Sequence, residues 1–113
     1  MTEIVFALHI EPGKEEADRR MREEMAGPRR AEYVAALKEA GVERQAVWHQ
    51  QSPSGPWAIV YVVGSDPDAH QRFVNSDADI SRWFREQMME IHGRDVTEPP
   101  LPVDLVVDVK TDE

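Results

Sequence analysis

Imidazole titrates nearest to neutrality of the side chains, so His9 and His49 are the candidate catalytic acid and base of this sequence. Each stands near the end of a segment that reads as a strand. In the topology derived below those two strands run parallel and end at one sheet edge, with backbones roughly 10 Å apart across a third strand. Sharing a metal would require both rings to lean over that strand, and no further histidine or carboxylate stands at a spacing that zinc uses, so no metal site is expected. Trp48, Tyr61 and Trp83 are the candidate ligand-binding aromatics, suited to a flat organic molecule. Trp83 and Phe84 also recur at helical spacing with Ile80 and Met88, which suits a core equally well. Asp104 and Asp108 share one strand face and read either as a carboxylate pair or as charges that guard a sheet edge.

The elements that must position these groups follow from periodicity. Ile4, Phe6, Leu8 and Ile10 alternate with Val5, Ala7 and His9, a first strand over 3–10 that Pro12-Gly13 ends. Lys14 to Ala40 carries Ala17, Met21, Met25, Ala31, Val34 and Leu37 at spacings of mostly three or four. This is a helical tract broken at Gly27-Pro28 into two segments that keep one buried face. Its acidic start, Glu15, Glu16 and Asp18, suits the positive end of the helix dipole, and Gly41 suits a C-terminal cap. The arginines Arg19, Arg20 and Arg22 interleave with Glu15, Glu16, Glu23 and Glu24 as a solvated face.

A second strand is expected over 42–51, a turn at Ser52 to Pro56, and a third strand from Trp57 to Val63, rich in β-branched residues. Pro67 opens a second helical tract that bends at Asn75 to Asp77 and closes at Gly93. After the extended connector Pro99 to Pro102, Val103, Leu105, Val107 and Val109 alternate with Asp104, Val106 and Asp108 as a fourth strand. Strand, helix, strand, strand, helix, strand is the order of an α+β, ferredoxin-like βαββαβ unit with a four-stranded antiparallel sheet and helices on one face. The other face is apolar enough to expect a second copy of the chain upon it, a homodimer.

The 113 residues make one domain, 1–113, and the absence of cysteine excludes disulfides, thiolate metal sites and a cysteine nucleophile. A net charge of −9 argues against nucleic acid and anionic membranes as partners. No apolar run is long enough for a membrane span, and Met1 to Ile10 lacks the pattern of a signal peptide, so a cytoplasmic protein is expected. There is no Gly-rich phosphate loop, nucleophile elbow or haem motif, and no cofactor is expected.

Pro12-Gly13-Lys14 after the first strand, the helix closing at Ala40-Gly41, the strand with Trp48, the strand 58–63 and Ser81-Arg82-Trp83-Phe84 together resemble the dimeric α+β barrel superfamily. Within it the chain is similar to a small uncharacterised bacterial family of Pro-Gly-Lys proteins. The run from Asn75 to Phe84 and the proline-rich approach to the last strand resemble L-rhamnose mutarotases as well. Where those enzymes present a catalytic histidine after an Arg-Arg pair, this chain has Met21 after Arg19-Arg20, and methionine transfers no protons. The resemblance implies two sheets closed into one barrel, with a small organic molecule bound inside. It implies as alternatives a cofactor-independent monooxygenase-like or isomerase-like enzyme using the same pocket, or a structural or regulatory module whose barrel is filled by its own side chains.

Overall fold

The computed structural model describes residues 1–101 and 103–112. Its elements run β1 (Thr2–His9), α1 (Glu15–Ala26), α2 (Arg30–Ala40), β2 (Val42–Gln50), β3 (Trp57–Gly64), α3 (Ala69–Val74) and α4 (Asp79–His92). The strands form an antiparallel sheet in the order β1-β3-β2, so the hairpin of β2 and β3 places β3 at the centre and leaves β1 and β2 as edges. Phe6 and Leu8 of β1 and Val60 and Val62 of β3 project from one face into a core shared with the four helices.

Pro28 does what its missing N–H requires, and the helical tract stops at Ala26 and restarts at Arg30. The break resets the phase of the second segment, which corrects the expectation of one continuous buried face. Ala31 is exposed, Val34 and Leu37 are only partly buried, and Tyr33 is the residue that enters the core. There its ring meets Phe73 edge-on at 5.3 Å and Phe84 at 6.1 Å, while Phe73 and Phe84 lie 5.2 Å apart, an aromatic cluster that ties α2, α3 and α4 together. Gly41 at φ 89° and Gly93 at φ 62° end α2 and α4 in the left-handed conformation that glycine adopts without strain. The second tract bends between Val74 and Asp79, where the Ser76 hydroxyl accepts the Ala78 N–H at 3.1 Å.

The sheet has three strands among the described residues, not four. The segment expected as a fourth strand is an exposed tail outside the ladder, with Leu105, Val106, Val107 and Val109 all at least 71% accessible. Alternation specifies the period of a strand but not its neighbour, and a strand forms only where another backbone meets its N–H and C=O groups. Asp104 and Asp108 stand on this tail in solvent and so line no closed interior. Pro102 of the expected connector lies outside the described residues.

Candidate functional site: a cavity between sheet and helices

Residue parity along the strands decides which side chains meet. His9 pairs with Trp57 of β3, whereas His49 pairs with Ala58. Neighbouring residues of one strand project to opposite faces, so the two histidines lie on opposite sides of the sheet. The cause is a bulge in β2. Val42 pairs with Gly64 and Arg44 with Val63, which makes Glu43 the extra residue and shifts everything after it by one position. An unbulged ladder would have set His49 against Trp57, in the row of His9.

The outer face therefore carries His9, Trp57, Trp48 and Tyr61. His9 donates from Nε2 to the Ser54 carbonyl at 2.8 Å and its ring leans on Trp57 at 4.8 Å. Trp48 and Tyr61 lie 6.4 Å apart, the Arg44 guanidinium sits over the Tyr61 ring at 5.5 Å, and the Tyr61 hydroxyl donates to Glu3. This is an open surface, with Trp48 54% exposed. Trp83 does not join it. Held under the Arg29 guanidinium at 4.5 Å, it packs in the helix layer against the core.

The opposite face meets the helices at a cavity of about 70 Å³ walled by Phe6, Leu8, Met21, Val60, Phe84 and Met88. Its mouth lies between α1 and the edge strand β2, where Arg22 and Val47 are exposed. Against about 30 Å³ per water in the liquid, this is room for the end of a small molecule rather than for a fused ring. The apolar wall is interrupted by Asp18, Tyr33, Gln45, His70 and His92.

Asp18 sits on the inward stripe of α1, three residues before Met21 and seven before Met25. Its residue accessibility is only 3%. A charge removed from water to this degree needs compensation. Arg22, one turn on, donates to Oδ2 from Nε at 3.0 Å, and His49 Nε2 approaches the same oxygen at 3.2 Å. Oδ1 is left without a hydrogen bond from the described residues. His49 thus stands behind Asp18 as its orienting partner and does not itself line the cavity.

His92, at the end of α4, donates from Nδ1 to the His9 carbonyl at 3.0 Å, which leaves Nε2 as a lone-pair acceptor. Burial first of all holds its pKa below the usual 6.5, against an opposing push from that hydrogen bond and from Asp18. His70, in α3, is buried beside Phe6 at 5.5 Å and is pushed down to about 4 by burial. Its Nδ1 is buried with no hydrogen-bond partner among the described residues. Tyr33 donates to Gln45 Oε1, and burial raises its pKa.

Of the sequence candidates, the structure brings His9 near Trp57 and Trp48 near Tyr61, and separates both pairs from His49 and Trp83. The cavity's Asp18, His70 and His92 come from helices. One signal for Asp18 was present in the sequence, an acid on the same stripe as Met21 and Met25, but its place in the first turn offered the dipole as a sufficient reason. Among the described residues no three histidine, aspartate or glutamate side chains gather as a metal site would need, and no helix is long and apolar enough to cross a membrane. No family model matches the sequence, and no curated protein matches it significantly.

Proposed function

We propose that the chain binds a small organic molecule in the cavity between sheet and helices, and that it does so as a homodimer of ferredoxin-like units closed into an α+β barrel. The observation that carries the binding reading is the cavity itself, an apolar space ending on a buried carboxylate and lined by a buried histidine whose Nδ1 has no partner among the described residues. The assembly reading is supported by two unpaired features. Val5 and Trp48 expose apolar surface on the outer face, and the valine-rich tail stands free. Pro99 to Leu101 and Val103 share a groove with Glu3, Ile4 and Val5, so the tail leaves the body beside the open edge of β1. In the assembly it adds there as the fourth strand, and the outer faces of two copies cover one another.

Five methionines make the binding reading measurable. Met21, Met25 and Met88 line the cavity, whereas Met1 and Met89 are exposed. Methyl-labelled methionine spectra of the full chain under xenon pressure should move the first three and leave the other two in place. Equal response of all five, or none, would remove the cavity as a binding site. Sedimentation should find a species of twice the 12.9 kDa chain mass, and a monomer at high micromolar concentration would refute the assembly.

A further inference from the structure

The mouth of the cavity has α1 on one side and β2 on the other, and the two elements are thinly joined. The cavity itself lies between α1 and the sheet, with Met21 and Met25 on the helix side and Ala58 and Val60 on the sheet side. Among the described residues a single hydrogen bond or ion pair links α1 to the sheet, between His49 Nε2 and Asp18 Oδ2 at 3.2 Å. The other paired charges of this region answer one another or another helix. Arg19 pairs with Glu16 and Glu23, Arg22 with Asp18, Arg29 with Glu24, and Lys14 at the helix start with Glu90 of α4.

The helix is also lightly rooted. Of its 12 residues Asp18 and Met21 are buried, whereas α4 buries Ile80, Ser81, Phe84, Met88 and Ile91. Methionine side chains keep their contacts while the backbone beneath them shifts, because the unbranched thioether adapts. Before α1 comes the turn Pro12-Gly13, where a side chain added at Gly13 would meet no atom within 4 Å. After it comes the Gly27-Pro28 break, beyond which Tyr33 is fixed in the aromatic cluster. A segment with few buried contacts between two such breaks opens at lower cost than the whole fold.

We propose that α1 is the door of the cavity, turning outward about the Pro12-Gly13 and Gly27-Pro28 segments, and that the contact between His49 and Asp18 is its latch. The proposal rests on the cavity reading above and adds the way in. Outward movement carries Arg22 together with Asp18, so the carboxylate keeps a partner as it reaches water and the one polar contact given up to the sheet is that to His49. His49 lines no part of the cavity, so replacing it alters passage and leaves the walls as they are.

The test compares the full chain with His49→Ala and with His49→Gln, in which the amide keeps an N–H for Asp18. Hydrogen exchange with nothing added should show the amides of α1 opening at lower free energy than those of Phe84 to Ile91 in α4. His49→Ala should raise the α1 opening roughly fivefold relative to α4. Under xenon, the methyl signals of Met21, Met25 and Met88 should report entry and exit both faster in His49→Ala by a similar factor, with affinity kept and the slower rates restored in His49→Gln. Weaker affinity with unchanged rates would make His49 a structural support and overturn the door, leaving the cavity reading intact. Amides of α1 and α4 that open together would overturn it whatever xenon does, and this comparison on the unaltered chain stands even if His49→Ala does not fold. Xenon that moves none of the three methionines would remove the cavity reading, and the door with it.

Discussion

The two faces of one sheet present opposite situations built from alternate residues of the same three strands. On the outer face, His9, Trp48, Trp57 and Tyr61 form an aromatic surface open to solvent, with a histidine tied to a backbone carbonyl. On the inner face, His49 and Arg22 hold the buried Asp18 carboxylate of α1, and His92 of α4 lines the same cavity. The outer face gathers the residue types most associated with chemistry, and the inner face supplies the enclosure and desolvation that make such residues consequential. A single extra residue, Glu43, decides on which side His49 falls.

This contrast is most sharply broken by unequal mutational costs. Phe73 has no solvent exposure, and Phe73→Ala should cost roughly 3–5 kcal/mol in urea unfolding. Trp48→Ala, at dilutions that keep the chain monomeric, should fall within about 0.5–1 kcal/mol and act instead on dimerisation. A Trp48 variant as damaging as Phe73→Ala to the monomer would mean that the outer face is core.

The next effect is in pH. Unfolded, His70 takes up a proton near the usual 6.5, whereas in the fold it does so only at about 4. Across that window the unfolded chain binds more protons, so stability is full above 6.5 and falls as the pH drops, by about 3 kcal/mol when 4 is reached. Urea unfolding at a series of pH values should show this limb, and His70→Phe should flatten it relative to the unaltered chain. An unchanged slope in the variant would place His70 in water.

The smallest effect tests the parity of β2. A double-mutant cycle between Asp18 and His49 should give a coupling of about 1 kcal/mol, and one between His9 and His49 a coupling near zero. A coupled pair of histidines would mean that the bulge is absent and both rings share a face.

Much of this architecture is local and so was legible in the residues. The alternation in Ile4 to Ile10, the β-branched run from Ile59 to Val63, the break at Pro28, the caps at Gly41 and Gly93 and the bend before Asp79 each follow from nearby chain chemistry. What escaped depended on distant partners. A bulge at Glu43 leaves no mark in a segment already diluted by Glu43, Arg44 and Gln45, yet it reverses every side chain from Arg44 to Gln50. Tyr33 displaced Val34 as the buried anchor of α2 because the Pro28 break freed the second helix to turn toward Phe73 and Phe84. Asp18 was readable only as a helix-start acid until the fold closed Met21, Met88 and His92 around it, and the tail has the alternation of a strand but joins no ladder among the described residues.

The central claim, that the binding chemistry lies on the helix side of the sheet, is tested most directly by a crystal structure of the full chain soaked in 1-butanol. Ordered density is expected inside the cavity, against Met21 and Met88. Density seated instead on the outer face between His9, Trp48 and Tyr61, with the inner cavity closed, would contradict it.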